Sequence, residues 1–351
     1  MSINTLVGKF GGFAGVGGGN FYFKFILLGG NGLGAYPSGA PSPGEPKLHG
    51  GVTEYIIDMT TQTSPVSLIY NHKTMLGGGY HTTGLDNDPA GLPDTESGAD
   101  GIFLSTASSI PSYPYPEPGF KPSIIAAAGG AGGRGGSSGG NNNAWTGDGG
   151  GGTGPASWAG SGGLTTPASP STSSHQGAGA SVSAGGAAGP SVSPSPPAVT
   201  HGTGKFMVGG QAQIGPIAPG SFTGGGGGGG YYGGGGGTTN PASGGSGGGG
   251  SGYVNTSYPL YHSSGGGDGK STEEYYSGLS PIPGSHPPTS YTPSFSGPVS
   301  DARKSKIWLA VIPSSNISMT TPPSWFTQLE GVGTTTTKTI TIKPDGTYTI
   351  A

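Results

Sequence analysis

Residues 224–237 read Gly224-Gly-Gly-Gly-Gly-Gly-Gly230-Tyr231-Tyr232-Gly233-Gly-Gly-Gly-Gly237, two glycine runs separated by a pair of tyrosines. A third run, Gly244–Gly250, follows at once and contains a single serine. Such runs carry no side chains that could form an apolar core, and glycine loses more backbone entropy on folding than any other residue. Whether they are ordered therefore depends on how their backbone N–H and C=O groups are paired.

The composition of the whole chain poses the same problem. Of 351 residues, 80 are glycine and 33 are proline, whereas Leu, Ile, Val and Phe together supply about 16%. These proportions are typical of low-complexity chains. Disordered chains also carry a strong net charge, but 13 basic and 16 acidic residues leave only −3 here. Because 47 of the glycines fall within residues 126–254, we expect an ordered glycine core there, with a flexible Gly/Ser linker as the alternative.

One regular conformation suits pure glycine particularly well. The left-handed extended helix with three residues per turn has no internal hydrogen bonds, so its N–H and C=O groups can pair with neighbouring copies. An enclosed helix must be glycine on every face, whereas a peripheral helix tolerates one outward side chain, as in Gly132-Gly-Arg134-Gly-Gly-Ser137. The sequence therefore predicts a mainly β protein with a bundle of polyglycine II helices, framed by short antiparallel strands, with almost no α-helix.

Short apolar and β-branched segments predict the strands. The expected strands are Asn20–Leu28, Gly51–Met59, Val66–Tyr70, Gly101–Ser105, Lys121–Ala127, Lys205–Val208, Gly252–Asn255, Lys306–Ile312, Thr334–Lys343 and Thr347–Ile350. The last two flank Lys343-Pro-Asp-Gly346, whose proline and glycine are typical of a tight turn, so they predict a hairpin.

Composition also suggests a division of the chain. We expect residues 1–125 to form an N-terminal β-rich segment of the glycine-rich domain and residues 126–255 to form the polyglycine core. Residues 256–298 are rich in proline and glycine and are expected to be a connector. Residues 299–351 are expected to form a small separate C-terminal hairpin unit or an assembly arm.

Several functional classes are disfavoured by the sequence. A net charge of −3 without a basic run lacks the electrostatic footprint of a nucleic-acid-binding protein. No apolar stretch reaches about 18 residues, so no membrane insertion is expected. Residues Met1–Val7 lack the pattern of a secretory signal, which predicts synthesis in the cytoplasm. There is no cysteine and no catalytic constellation, so we expect neither an enzyme nor a cofactor.

Acidic residues are concentrated in the segment 86–100, and this is the only candidate metal site. Asp86, Asp88 and Asp94 are separated by turn-forming residues, and oxygen-rich turns suit Ca²⁺. The EF-hand pattern fails, however, because Ala90 and Ser97 occupy ligand positions. A solvated loop without metal is therefore the favoured interpretation, with calcium binding as the alternative.

Aromatic residues in glycine-rich surroundings are the candidates for recognition. They are Tyr80, Trp145, Trp158, Tyr231 and Tyr232. Tyrosine and tryptophan are rigid and amphipathic, which suits contact with a sugar or a protein surface. The alternative, which we favour, is that these rings cap the glycine bundle or pack between subunits.

Three blocks carry a resemblance to a known family. They are Ile124-Ile-Ala-Ala-Ala-Gly-Gly-Ala-Gly-Gly-Arg134, the run Gly224–Gly237 with its two tyrosines, and Gly247-Gly-Gly-Gly-Ser-Gly-Tyr-Val254. Their order over residues 20–255 resembles the glycine-rich domain of anaplastic lymphoma kinase and leukocyte tyrosine kinase, and similar blocks occur in phage and viral fibre proteins. The resemblance implies strands leading into glycine helices whose ends are held by a β-framework related to tumour necrosis factor. The cysteines, membrane span and kinase of those receptors are absent, so it implies no signalling role.

Two functional hypotheses follow. The first is a structural component of a virus or phage particle, such as a tail fibre, capsid or appendage, present in the virion as a homo-oligomer. A trimer is the expected form, by analogy with other β-rich appendages. The second is a host receptor-binding adhesin whose aromatic loop tips contact a host-surface glycan or protein. An extracellular ligand-binding domain is a more distant third, because no secretory signal is visible.

Overall fold

The computed structural model describes fifteen stretches of the chain. They are residues 20–30, 50–71, 75–78, 98–133, 144–145, 152–153, 156–157, 164–165, 176–190, 202–212, 224–240, 243–266, 305–318, 325–329 and 337–351. Within these stretches the secondary structure is almost entirely strand.

The strands are numbered in chain order. They are β1 Phe21–Leu28, β2 Val52–Asp58, β3 Val66–Asn71, β4 Ile102–Ser105, β5 Ile124–Ala128, β6 Ala144–Trp145, β7 Gly152–Thr153, β8 Ala156–Ser157, β9 Leu164–Thr165, β10 Thr239–Asn240, β11 Ser243–Gly244, β12 Tyr253–Val254, β13 Tyr261–Gly266, β14 Lys306–Pro313, β15 Thr327–Gln328, β16 Lys338–Ile342 and β17 Tyr348–Ile350. One short helix, α1 Glu117–Phe120, and two 3₁₀ turns, Lys121–Ser123 and Ser314–Asn316, complete the described secondary structure.

Eleven strands form two antiparallel sheets. The first sheet has the order β13-β2-β1-β14-β15, and the second has the order β12-β5-β4-β3-β16-β17. In the first sheet, Phe25 of β1 lies opposite Tyr55 of β2 and Leu309 of β14. The other described strands form two-residue pairs, β6 with β9, β7 with β8 and β10 with β11.

The two sheets share one apolar core, to which each contributes alternate residues. Its largest fully buried members include Phe23, Phe25 and Tyr55 from the first sheet and Leu68 and Tyr70 from the second. Because side chains alternate across a strand, every second residue of β1 enters this core. The expected mainly β architecture with little α-helix is confirmed.

The predicted C-terminal hairpin is present. Strand β16 pairs with β17, and Ile342 lies opposite Tyr348. Gly346 has φ = +81°, a conformation that a turn demands and that side-chain-bearing residues rarely adopt. Within the turn, the Thr347 N–H and hydroxyl both donate to the Asp345 carboxylate, at 2.9 and 2.6 Å. The sequence therefore identified both strands and the residue that permits the reversal.

Two expected strands differ from the structure. Lys205–Val208 is a tight turn closed by a bridge between its end residues, and Met207 adopts φ = 66° there. Lys121–Ser123 forms a 3₁₀ turn, since Pro122 cannot donate a hydrogen bond to a sheet, and the strand begins only at Ile124.

The expected separate C-terminal unit was wrong. Strand β14 lies between β1 and β15, and β16 pairs along β3 from Lys338↔Tyr70 to Ile342↔Val66. Strand β13, within the predicted connector, pairs with β2. The physical reason is the apolar run Ile307–Ile312, which is buried throughout and needs partners along both strand edges. Among the described residues, no helix has the length and hydropathy that a membrane crossing requires.

Candidate functional site: the glycine tracts and their tyrosine cap

The glycine-rich segments continue directly from the ends of the sheet strands. Gly29 follows β1, Gly101 precedes β4, Gly129 follows β5, and Gly252 precedes β12. We call the described segments 29–30, 75–78, 98–101, 129–133, 176–190, 202–212, 224–230, 233–238 and 245–252 the glycine tracts. All glycines in the tracts 224–230, 233–238 and 245–252 are buried, although these tracts carry almost no side chains. Their order must therefore come from the backbone.

Backbone hydrogen bonds between tracts recur at every third residue. The parallel set, each bond 2.8 Å long, runs from Gly225 N–H to Gly245 O, from Gly228 N–H to Gly248 O and from Tyr231 N–H to Ser251 O. An antiparallel set, also of 2.8 Å bonds, runs from Gly245 N–H to Thr238 O, from Gly248 N–H to Gly235 O and from Ser251 N–H to Tyr232 O. A step of three is the repeat of an extended threefold helix.

The tract 225–229 is enclosed on all sides. Its N–H groups donate to Gly245, Gly248, Gly210 and Ala99, and its carbonyl oxygens accept from Gly237, Gly234, Gly133, Gly130 and Gly78. These partners belong to six different tracts. The segment is therefore surrounded by backbone, with no layer of side chains between it and its neighbours.

Steric contacts explain why these positions are glycine. A Cβ added at Gly226 would lie 1.7 Å from the carbonyl oxygen of Gly78, and one added at Gly227 would lie 1.9 Å from that of Gly234. The blocking atoms are backbone, which cannot rotate away as a side chain can. At Gly119 in helix α1, by contrast, the nearest atoms are 3.9 Å away. Glycine is required in the tracts by close approach of neighbouring chains.

The tract ends that lie away from the sheets are linked to one another. Gly98 N–H donates to Gly78 O at 3.0 Å, which joins the two ends of the connection 79–97. Five further backbone bonds join tract ends on this side, away from the sheets. They run from Gly133 N–H to Gly226 O, from Gly177 N–H to Ser246 O, from Gly189 N–H to Gly236 O, from Gly236 N–H to Gly202 O and from Gly225 N–H to Gly245 O. The connections 79–97, 134–175 and 191–201 therefore leave from and return to one end of the bundle.

Tyrosines cap the opposite end, next to the second sheet. Tyr231 and Tyr232 are only 3% and 5% exposed and meet edge to face, with ring centroids 5.6 Å apart. Tyr231 also stacks in parallel on Tyr253 at 4.0 Å, and both rings of the pair contact Phe206. The cluster packs on the face of the second sheet turned away from the main core, against residues such as Phe103. Tyr231 and Tyr232 are therefore buried in this cap and do not lie at an exposed loop tip.

A charged group ties this cap to helix α1. The Lys121 ammonium donates to Glu117 Oε1 at 2.7 Å and to the Tyr232 hydroxyl at 2.6 Å, and the Tyr232 hydroxyl donates to the same carboxylate oxygen. The Lys121 Nζ also lies 4.8 Å from the Tyr232 ring centroid, a cation–π distance. Three residues from two distant parts of the chain thus form one closed hydrogen-bonded group.

The electrostatics of this group follow from its contacts. The hydrogen bond from Lys121 and that from Tyr232 lower the pKa of the Glu117 carboxyl. Burial alone would lower the pKa of Lys121, but its hydrogen bonds with Glu117 and Tyr232 outweigh this effect and raise it. Burial and the hydrogen bond to Glu117 raise the pKa of Tyr232. The group is therefore an ion pair with a neutral tyrosine at neutral pH.

The remaining predicted residues are placed as follows. Tyr80, Trp158, Asp86, Asp88 and Asp94 lie outside the described residues, so the recognition and calcium hypotheses at those positions stay predictions. Trp145 lies in the two-residue strand β6. Within the described stretches, no group of three or more His, Asp or Glu residues could hold a metal ion.

Sequence reasoning missed the Glu117–Lys121–Tyr232 group. The spacing of Glu117 and Lys121 by four residues is a signal for an ion pair on a helix. Their contact with Tyr232, more than 110 residues away, left no trace in the sequence.

Comparison with known proteins gives no match to a family model, a characterised protein or a solved structure.

Proposed function

We propose that the glycine tracts are polyglycine II helices and that the chain is a non-catalytic structural component of a virus or phage particle. Tail fibre, capsid and appendage are the candidate locations within the virion. The observation that carries the proposal is the enclosed tract 225–229, whose hydrogen bonds reach the same neighbouring tract at every third residue. Each such bond contributes about 0.5–1.5 kcal/mol net, so a lattice of them can replace an apolar core.

The link from this lattice to a particle is mechanical. Bonds in several directions around each tract resist bending and sliding, and they need neither disulfides nor metal. A chain without cysteine that must stay rigid outside a cell would benefit from such an arrangement. Oligomer formation belongs to the proposal, with other copies of the chain or other virion proteins as partners.

The polyglycine part is tested by hydrogen exchange. We expect the amide protons of Gly225, Gly228 and Gly234 to exchange as slowly as those of Phe25 in the main core, since all are buried and bonded. Exchange of these glycine amides at the rate of an unstructured chain would refute the bundle while leaving the sheets intact.

The virion part is tested by labelling. Antibodies raised against the purified chain should decorate particles of the virus or phage that encodes it in negative-stain electron micrographs. The position of the label would distinguish fibre from capsid. Absence of the chain from purified particles by mass spectrometry, although it is expressed in the producing cells, would overturn the proposal.

A host-attachment adhesin is the second candidate, and one observation favours it. The described ends of the connections 79–97, 134–175 and 191–201 lie together at the end of the bundle away from the sheets. These connections carry Tyr80, Trp145 and Trp158 in the sequence. Replacing 79–97, whose two ends are joined by the bond from Gly98 N–H to Gly78 O, by a short Gly/Ser linker should abolish adsorption of particles while leaving their assembly unchanged. Normal adsorption would contradict the adhesin function, and failed assembly would favour the scaffold.

A further inference from the structure

A rigid, proline-rich loop projects beside the second sheet. Residues 107–119, here called the tyrosine arch, contain four prolines and the aromatic pair Tyr113 and Tyr115. The base is closed by backbone and hydroxyl bonds: Thr106 N–H donates to Ser123 O at 2.9 Å, and Ser105 Oγ to Ser123 Oγ at 2.9 Å. Prolines fix φ, so the arch loses little conformational entropy when a ligand binds.

Tyr113 stands out on this arch by its exposure. At 43% exposed, it is the most exposed large hydrophobic residue in the described part of the chain, followed by Val182 at 38%. Its ring meets that of Tyr115 nearly at right angles, 84°, with centroids 5.7 Å apart. Tyr115 in turn packs on the capping cluster. An edge-to-face contact occupies at most one face of the Tyr113 ring, so at least one face stays outside this contact.

Two charged residues follow Tyr113 in the sequence, Glu117 four residues later and Lys121 eight residues later. The Glu117 and Lys121 side chains are 44% and 30% exposed although they are paired. The bonds that close the charged group use only one oxygen of the carboxylate, Oε1, and two protons of the ammonium. Glu117 Oε2 and the third Lys121 proton are therefore acceptor and donor outside that group. Because the two charges cancel, the arch offers hydrogen bonds without attracting an anion or a cation.

We propose that the tyrosine arch binds a neutral carbohydrate, with a pyranose ring stacked by its C–H face on Tyr113 and its hydroxyls bonded near Glu117 and Lys121. An exposed single aromatic ring matches the size of one sugar ring. A stable protein partner would need about 800 Å² of surface with an apolar centre, which one tyrosine does not supply. The proposal does not rest on the particle function, because the purified chain can be tested alone.

The test uses saturation-transfer NMR and calorimetry with three neutral probes: maltotetraose, cellotetraose and mannotetraose. At least one should bind with a dissociation constant of about 1 mM, with the strongest transfer at the ring C–H protons. Tyr113→Ala should weaken binding by about tenfold or more, whereas Tyr113→Phe should retain it, since stacking needs the ring and not the hydroxyl. Val182→Ala, which removes the other exposed hydrophobic residue, is the matched control and should bind normally.

Three results would overturn the proposal. One is the absence of transfer to all three sugars at about 20 mM, well above the expected dissociation constant. Another is unchanged binding in Tyr113→Ala when circular dichroism shows that variant to be folded. The third is tighter binding of sialyllactose, which carries a carboxylate, than of uncharged lactose, because that preference would identify an anion site.

Discussion

The sheets and the glycine tracts are both buried, but opposite features of the sequence stabilise them. In the sheets, large side chains such as Phe25, Tyr55 and Leu104 fill the space between two layers. In the tracts, carbonyl oxygens of neighbouring chains occupy the positions that side chains would need. Burial in one region thus depends on the presence of apolar volume, and in the other on its complete absence. Substitution by alanine should therefore destabilise the two regions for opposite reasons, by adding volume in the tracts and by removing it in the sheets.

The largest expected effect is that of Gly227→Ala. The new Cβ would lie 1.9 Å from Gly234 O, and relief requires one tract to move away from its bonded neighbours. We expect a loss in the free energy of unfolding of about 4–5 kcal/mol or more, measured by urea denaturation. Gly119→Ala is the control, since its Cβ would meet nothing closer than 3.9 Å and alanine favours the helix. Equal stability of the two variants would show that the tracts are not closely packed.

The next effect belongs to the sheets. Phe25→Ala removes a fully buried ring from the shared core and should cost about 3–5 kcal/mol, because the cavity can collapse only partly. Val182→Ala, at an exposed position, should change the stability by less than about 0.5 kcal/mol. If hydrogen exchange in the Phe25→Ala variant rises in the sheets alone, the two regions unfold separately. A simultaneous rise would show one cooperative unit.

A smaller effect is expected where the two regions meet. Tyr232→Phe keeps the buried ring but removes the hydroxyl that contacts both Glu117 and Lys121. The expected loss is about 1 kcal/mol, measured as a shift of the urea midpoint at constant slope. Tyr113→Phe removes a hydroxyl from a ring that is 43% exposed, so it is the control and should leave the urea midpoint nearly unchanged. A loss as large as that of Gly227→Ala would mean that the hydroxyl orders the whole bundle.

The smallest effect depends on pH. Because the folded state lowers the pKa of the Glu117 carboxyl below its unfolded value of about 4.3, its contribution is present above that value and disappears as the pH falls through the folded pKa. Glu117→Gln should therefore melt at a slightly lower temperature than the parent at pH 7, and the difference should shrink as the pH is lowered through the folded pKa of Glu117. A difference that persists in acid would assign the loss to packing.

Many of the sheet strands could be predicted from the sequence, because the pattern that indicates a strand or a turn lies within a few consecutive residues. The alternation in Phe21–Leu28 and the turn at Lys343–Gly346 each depend on a few neighbouring residues. Seven of the ten expected strands consequently have bounds within one residue of those in the structure, whereas the sheet strands β13 and β15 were not predicted. The pairing of β14 with β1 could not be predicted, since it joins segments nearly three hundred residues apart.

For the candidate site, the sequence predicted backbone pairing between glycine runs but not which runs are neighbours. Glycine runs implied lateral backbone pairing, because a buried run without side chains has chiefly neighbouring backbone to pair with its N–H groups. Which tract lies beside which could not be read, since one glycine offers the same donor and acceptor as the next. The burial of Tyr231 was likewise hidden, because the capping position is created by Phe206 and Tyr253 from other parts of the chain.

The two tyrosines within residues 224–237 have a further consequence for alignment. In a pure glycine run, a slide of three residues regenerates the same pattern of donors and acceptors, so the run cannot define its own register. Tyr231 and Tyr232 cannot slide, because their rings are held in the cap. The two tyrosines therefore fix the register of both glycine runs against their neighbours. If the tracts are the polyglycine II helices proposed above, inserting three glycines into either run should lengthen that run by about 9 Å without changing its alignment, whereas inserting one or two should disrupt it.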